Sequence, residues 1–103
     1  MKLIYIAGPY SGDIEGNVKR AKAAMKKLYR HGWAVHCPHL QPDMDYTLDE
    51  WLKIDFYIID KCDAVFFLKN WRNSLGSCRE YLHATRQGKT IYMEENGYPV
   101  LSE

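Results

Sequence analysis

The hydrophobic positions of the chain fall into short unbroken runs separated by longer stretches with a helical period. The first run, residues 3–7, stops at Gly8 and Pro9, so it is typical of a buried strand followed by a loop. Three later runs have the same character, and the most hydrophobic of the three predicts a central strand. The later runs are residues 33–36, 64–68 and 90–93.

The stretches between these runs predict three helices. Residues 14–31 place apolar side chains three and four positions apart, so lysines occupy the opposite, solvated face, and Gly32 ends the helix. Thr47 and Glu50 are spaced as a capping box, which predicts a second helix from there to about Asp60. A third helix is predicted over residues 75–87, and the final ten residues are expected to form a tail. The apolar positions of the first helix are Ile14, Val18, Ala21, Met25, Leu28 and Tyr29.

Strands that alternate with helices predict βαβ units, right-handed crossovers and a parallel sheet. Residues 1–103 are therefore expected to form one α/β domain. In such sheets ligands bind beyond the carboxyl ends of the strands, near the point where the strand order reverses. The loops at residues 8–12 and 69–76 are expected to lie there.

Composition narrows the classes of partner. A formal net charge of +1 argues against binding a nucleic-acid polymer or a membrane surface, although backbone amides can still hold one phosphate. The three cysteines are scattered and form no CxxC pair, which favours reduced thiols in a cytoplasmic protein. His36, Cys37 and His39 lie close together, but no second cluster completes a zinc site. No metal and no cofactor are expected.

The segment 74–80 combines a serine, a glycine and a glutamate at helical spacing. Ser74 is predicted to cap the third helix, which leaves the amides of residues 75–77 free to hold a phosphate. Glu80 follows Gly76 by about 6 Å along the helix axis, close to the span from a 5′-phosphate to the anomeric carbon. Gly76 leaves room for a ligand, at a cost in helix propensity. An ordinary cap and an exposed glutamate remain the alternative interpretation.

Asp55 lies at the edge of an apolar stripe on the second predicted helix. Leu48, Leu52, Phe56 and Ile59 form the stripe. A carboxylate turned toward a core is costly unless it is paired or used. The position therefore predicts either a structural hydrogen bond or a catalytic group with an altered pKa.

The loop after the first strand carries residues that suit a ligand. Its glycine spacing matches neither the dinucleotide fingerprint GxGxxG nor the P-loop GxxxxGK[ST]. The loop could wrap a sugar or a phosphate with backbone and hydroxyl donors, or it could be a tight strand-to-helix turn. The candidate binding residues of this loop are Gly8, Pro9, Tyr10, Ser11 and Gly12.

Together these segments resemble the nucleoside 2-deoxyribosyltransferase superfamily, most closely its short branch of 2′-deoxynucleoside 5′-monophosphate N-glycosidases. The opening YIAGPYSG is similar to the first strand and loop of that superfamily. Asp55 stands at the position of the superfamily's aspartate, and SLGSCRE resembles its S-x-G-x-x-x-E segment. The similarity covers most of residues 3–93 in the same order.

The resemblance implies a flavodoxin-like three-layer α/β sandwich, with a parallel sheet of four to five strands, and a double-displacement mechanism. Glu80 would attack the anomeric carbon to form a glycosyl-enzyme ester. Asp55 would assist departure of the base, and Tyr5 would lie beside the sugar, near Glu80. The residues implied for the sugar-phosphate cradle are Gly8, Ser11, Gly12, Ser74 and Gly76.

The same resemblance indicates the substrate. Transferase members carry an acid where this chain has Ser74, and a serine beside helix amides favours a phosphate over a free 5′-hydroxyl. The expected reaction is hydrolysis of the N-glycosidic bond of a (deoxy)nucleoside 5′-monophosphate. Base exchange by a 2-deoxyribosyltransferase and a catalytically silent nucleotide-binding module are the alternatives.

The pocket for the base is less well defined, because residues 40–47 are short and match the superfamily poorly. His39 and Trp71 are placed to stack on a base, but each could equally pack within the protein or lie on its surface. Superfamily members complete the site with residues from a neighbouring subunit, which implies a homodimer or a higher homo-oligomer. Residues 98–102 could reach across such a dimer, with Ser102 as a phosphate ligand.

Overall fold

The computed structural model describes residues 1–102, which form one five-stranded sheet and three helices. All four predicted strands and all three predicted helices are present, with boundaries that differ by one or two residues. The strands are β1 (Leu3–Ala7), β2 (Ala34–His36), β3 (Ala64–Phe67), β4 (Thr90–Glu95) and β5 (Tyr98–Leu101). The helices are α1 (Ile14–Arg30), α2 (Leu48–Lys61) and α3 (Leu75–Arg86).

The strand order is β2-β1-β3-β4-β5, and the first four of these strands run parallel. This order and the helices on both faces confirm the flavodoxin-like α/β sandwich. The chain moves from β1 to β2 on one side and then crosses to β3 on the other side. The strand order therefore reverses between β1 and β3, where Tyr5 lies opposite Val65.

The expected tail is wrong, because residues 98–101 form β5, antiparallel to β4. Asn96 and Gly97 turn the chain with positive φ angles of 51° and 81°, the conformation that a two-residue hairpin requires. The carbonyl of Gly97 also accepts a hydrogen bond from Lys27 of α1 at 2.9 Å. The end of the described chain is thereby fixed to the sheet and to a helix.

Alternation along the strands separates two hydrophobic clusters. Ile4 and Phe66 face α1, where they pack with Ala21 and Leu28. Tyr5, Val65 and Phe67 face the opposite side, which α2 and α3 cover. Because β1 has this register, the hydroxyl of Tyr5 is directed to the same layer as Asp55 and Glu80.

The capping predictions are confirmed. Thr47 and Glu50 form the capping box of α2, and Ser74 caps α3 by accepting a hydrogen bond from the amide of Ser77 at 3.2 Å. The predicted buried face of α1 is partly wrong. Ile14 and Tyr29, in the first and last turns of the helix, are exposed, whereas the polar Asn17 is buried.

None of the three helices described over residues 1–102 has both the length and the apolar character needed to cross a membrane.

Candidate active site

A pocket of about 520 Å³ opens at the carboxyl ends of β1 and β3, where the strand order reverses. This volume lies in the range of small-molecule sites. Its walls come from the loop after β1, the segment after β2, the first half of α2 and the first turns of α3. The predicted loops at residues 8–12 and 69–76 therefore meet, as expected, although each contributes only part of its length. The polar groups of the pocket include Ser11, Gln41, Asp55, Ser74, Ser77 and Glu80.

Glu80 lines this pocket with only 6% of its surface exposed. It occupies the second turn of α3, on the side of the helix that faces the sheet. The alternative interpretation, an ordinary exposed helix residue, is therefore wrong. A buried carboxylate that lines a cavity is in position to react with a ligand there.

Tyr5 donates a hydrogen bond from its hydroxyl to Oε2 of Glu80. The tyrosine is fully buried and does not line the pocket, so it lies behind the carboxylate and not beside the space a sugar would occupy. Burial and the nearby charges of Glu80 and Asp55 raise the pKa of Tyr5 well above its ordinary value. Tyr5 therefore remains a neutral donor, and it fixes the orientation of Glu80.

Asp55 is buried on α2 and also lines the pocket. Its Oδ1 atom has no hydrogen-bond partner among the described residues. Burial raises the pKa of Asp55 to about 6. Burial and the charge of Asp55 raise the pKa of Glu80 to about 8, against the opposing effect of the Tyr5 hydrogen bond. The two carboxyls titrate as a pair, and between about pH 6 and about pH 8 the pair holds one proton.

The first turn of α3 faces the same pocket as the two carboxyls. Ser74, Leu75, Gly76 and Ser77 all contribute to its lining. The expectation of three free amides is wrong for Ser77, whose amide donates to the Ser74 cap, so the amides of Leu75 and Gly76 remain free at the positive end of the helix. The space beside Gly76 is narrower than expected, because a Cβ there would lie 3.3 Å from Cδ1 of Leu48. Gly76 therefore allows α2 to approach α3 closely, besides opening the cavity.

The loop after β1 forms the opposite wall. Gly8 packs so tightly that a Cβ would lie 2.7 Å from Cδ1 of Leu68, which explains glycine at this position. The side chain of Asn17 donates to the carbonyls of Tyr10 and Ser11, at 3.0 and 3.1 Å. This anchor holds the loop against α1.

Three residues expected to bind substrate, Gly12, Trp71 and Ser102, lie outside the pocket lining. Gly12 adopts a φ of 87° and turns the chain toward α1, so its contribution is to the shape of the loop. Trp71 is buried against Phe67 and Tyr81 in the core, so the structure corrects its assignment to base stacking. Its ring centre lies 4.9 Å from that of Tyr81 and 5.2 Å from that of Phe67, so the ring belongs to the core and not to the pocket wall.

His39 and Tyr10 do line the pocket. The Nε2 atom of His39 lies 2.9 Å from the carbonyl oxygen of Pro9, so it must carry the hydrogen of that bond. Burial lowers the pKa of His39, which keeps the ring neutral. Tyr10 is 43% exposed and its ring lies 6.3 Å from that of His39. These rings form one edge of the opening.

Several pocket residues were missed by the sequence analysis. Ser77 is the most informative, since it is 1% exposed and its hydroxyl has no partner among the described residues. Its position three residues after the cap and three before Glu80 was a weak signal, because serines are common near the start of a helix. Trp51 and Leu48 were missed because a helical stripe does not reveal which of its residues lie beyond the edge of the sheet.

Ser102 lies at the other end of the sheet. Its amide donates to the carbonyl of Ile91, near the amino end of β4, because β5 runs antiparallel. It therefore does not reach the pocket of its own chain, and its role across a subunit interface stays a prediction. Over residues 1–102, no three His, Cys, Asp or Glu side chains are grouped in a way that could hold a metal ion.

Comparisons with known proteins agree with this fold. The structure of CMP N-glycosidase BcmB from Clostridium botulinum matches with a TM-score of 0.63 and 25% identity, over 89% of this chain and 70% of that chain. This similarity confirms the resemblance to deoxyribosyltransferase-like enzymes that the motifs indicate. No curated protein matches the sequence. A family model described as a domain of unknown function, DUF4406, matches residues 2–93, and the chain belongs to this family.

Proposed function

We propose that this protein hydrolyses the N-glycosidic bond of a nucleoside 5′-monophosphate, releasing the free base and a sugar phosphate. The observation that carries the proposal is the shared pocket of Glu80 and Asp55, into which the first turn of α3 also opens. A nucleophile, an acid and an anion-binding helix end are then available to one small ligand. The similarity to a CMP N-glycosidase supports the same class of reaction.

In the first step, the carboxylate of Glu80 attacks the anomeric carbon of the sugar. The bond from that carbon to the base nitrogen breaks through an oxocarbenium-like state, and the base departs with the electron pair. The carboxyl of Asp55 gives its proton to the departing base, directly or through one water. The products of this step are the free base and a glycosyl ester on Glu80.

In the second step, water attacks the same carbon and displaces Glu80. Asp55, now ionised, takes a proton from the water, and the ester bond breaks to restore the Glu80 carboxylate. Tyr5 supports both steps as a positioning residue, because its hydrogen bond to Oε2 holds the carboxylate in one orientation.

The phosphate is assigned to the first turn of α3. Free amides and the positive end of the helix dipole attract an anion, and Ser74 leaves this end without a carboxylate that would repel it. The loop at residues 8–11 would close over the sugar from the other side. The base would lie toward Tyr10, His39 and Trp51.

The proposal is tested by incubating the protein with each common ribo- and deoxyribonucleoside 5′-monophosphate and separating the products by chromatography. Free base and sugar phosphate are expected from at least one substrate. A new nucleotide, formed only when a second free base is added, would instead indicate base exchange. Binding without any turnover would indicate a nucleotide-binding module.

The matched variants are Glu80→Gln and Glu15→Gln. Glu80→Gln is expected to lower kcat about 1,000-fold or more, because it removes the nucleophile, while nucleotide binding changes by less than about tenfold. Glu15 is exposed in the first turn of α1 and serves as the control, with wild-type kcat expected. Turnover that survives in Glu80→Gln would refute the assignment of the nucleophile.

A further inference from the structure

Ser77 is a buried polar residue that the proposed mechanism does not use. Its side chain is 1% exposed, it lines the pocket, and its Oγ atom has no hydrogen-bond partner among residues 1–102. A helical serine can satisfy its hydroxyl on the carbonyl of an earlier turn, but Ser77 makes no such bond. Burying a hydroxyl without a partner destabilises a protein, and a ligand in the pocket that bonded to this hydroxyl would remove that cost.

The place of Ser77 on α3 indicates which part of a ligand it meets. It lies about 4.5 Å along the helix axis from Ser74 and about 4.5 Å from Glu80. The phosphate is assigned to the Ser74 end and the anomeric carbon to Glu80. The atoms between those two points in a nucleotide belong to the sugar ring.

We infer that the hydroxyl of Ser77 binds a hydroxyl group of the substrate's sugar, and that this contact helps to select the sugar. The inference rests on the proposed function, because it places a nucleoside 5′-monophosphate in the pocket. A sugar hydroxyl both donates and accepts hydrogen bonds, so it can pair with a serine in either direction. The carbon that carries this group is either C2′ or C3′.

The contact has a consequence for the ligand-free protein. Ser77→Ala removes a hydroxyl that is unpaired in the absence of ligand, so the melting temperature is expected to stay the same or to rise. A serine that stabilised the fold through its hydroxyl would give the opposite result. The same substitution therefore separates a binding role from a structural role.

The test measures binding by calorimetry in the Glu80→Gln background, where turnover is expected to be about 1,000-fold slower or more. The probes are three monophosphates of one base, with ribose, 2′-deoxyribose and 2′,3′-dideoxyribose. Ser77→Ala is expected to weaken binding of the ribonucleotide about three- to tenfold and to leave the dideoxynucleotide unchanged. If the effect is absent for the 2′-deoxy compound, the partner is the 2′-hydroxyl. If that compound is still affected, the partner is the 3′-hydroxyl.

Thr85→Ala is the matched control, because Thr85 is exposed on α3 and its hydroxyl bonds to the carbonyls of Tyr81 and Leu82. It should leave all three affinities unchanged. Equal affinity of Ser77→Ala and its parent for the ribonucleotide would overturn the inference. So would an equal loss for all three probes, or a fall of more than about 4 °C in melting temperature. If no monophosphate binds even the parent protein, the proposed function fails and this inference fails with it.

Discussion

At the scale of single residues, the paired carboxyls decide how the site depends on pH. The pKa of Asp55 is raised to about 6 and that of Glu80 to about 8, both chiefly by burial. Between these values the pair carries one proton and one negative charge. The proton lies mainly on Glu80, whose pKa is the higher of the two, so the proposed first step starts from the minor form in which the proton has moved to Asp55 and Glu80 carries the charge.

A bell-shaped pH profile is therefore expected for kcat/KM, with its maximum between about pH 6 and about pH 8. Below the first value both carboxyls are protonated and the nucleophile is lost. Above the second value the acid is lost. Steady-state kinetics from pH 5 to 9 would measure the profile, and an unchanged rate over that range would contradict the shared proton.

Asp55→Asn is expected to lower kcat about 100-fold or more, because asparagine cannot protonate the departing base. The fall of the profile above pH 8 should also disappear, since the titrating acid is gone. Asp49→Asn, an exposed change at the start of α2, is the control. A kcat for Asp55→Asn close to that of the wild type would exclude Asp55 as the acid.

Tyr5→Phe removes the hydroxyl that donates to Glu80. A hydrogen bond to an ionised carboxylate contributes about 1.5 to 3 kcal/mol, so kcat is expected to fall about tenfold to 100-fold with a smaller change in KM. Both limbs of the pH profile should move to higher pH, because the ionised form of Glu80 has lost a donor. Tyr92→Phe, on the opposite face of the sheet, should change neither quantity. A purely structural Tyr5 would not shift the profile.

The sequence predicted the reactive residues better than it predicted their surroundings. Asp55 could be found because an acidic residue at an inward helical position is unusual, and Glu80 because it follows a capping serine and a glycine at helical spacing. Ser77 was missed because a serine near a helix start is ordinary, and its missing partner is visible only in three dimensions. Trp71 was misassigned because position on a loop does not distinguish a ring in a pocket from a ring in the core.

At the scale of elements, the loop between β1 and α1 depends on one side chain. Asn17 donates to the carbonyls of Tyr10 and Ser11 and accepts a hydrogen bond from Arg20 at 2.6 Å. Asn17 is buried, so water cannot easily replace it. The wall that would close over the sugar is thus held from behind by α1.

Asn17→Ala is expected to lower the free energy of unfolding by about 1 to 3 kcal/mol and to raise KM about tenfold. The cause is the same for both effects, since the carbonyls of Tyr10 and Ser11 lose their donor and the loop loosens. Denaturation and steady-state kinetics would measure them. Asn70→Ala is the control, because Asn70 makes no capping bond and lies outside the pocket. Lower stability with an unchanged KM would show that the loop does not contact the substrate.

The β4–β5 hairpin shows how an element can be missed despite a clear signal. Asn96 and Gly97 are a favoured pair for a two-residue turn, but Pro99 in the following run argues against a strand. The structure resolves the conflict because β5 is the last strand of the sheet. An edge strand tolerates a residue without an amide donor on its open side.

At the scale of the whole molecule, the buried carboxyls weaken the fold as the pH rises. Their pKa values are raised in the folded state, so folded protein binds more protons than unfolded protein between about pH 4 and about pH 8. Their contribution to stability is complete below about pH 4 and is lost as the pH rises through the folded values. The site therefore reduces stability under the conditions in which it would work.

The melting temperature of Glu80→Gln minus that of the wild type should therefore increase as the pH is raised from 5 to 9. The glutamine keeps the size of the side chain and cannot ionise. Thermal melts of both proteins across this range would measure the difference, with Glu15→Gln again as the control. A difference that is independent of pH would show that Glu80 is not buried in a way that raises its pKa.

The fold was predictable because each strand and helix has a strong local pattern and parallel βαβ units allow few arrangements. The pocket was predictable only to the level of its two main loops. Its remaining wall comes from α2 and residues 38–43, whose distance from Glu80 depends on how the helices pack. The close approach of Leu48 to Gly76 cannot be predicted from the sequence around either residue.

The most direct test is a crystal structure of the Glu80→Gln protein with a bound nucleoside 5′-monophosphate. The phosphate is expected at the amides of residues 75 and 76, with the anomeric carbon within about 3.5 Å of the substituted side chain at position 80. A phosphate bound elsewhere, or an anomeric carbon more than about 6 Å away, would contradict the proposed mechanism.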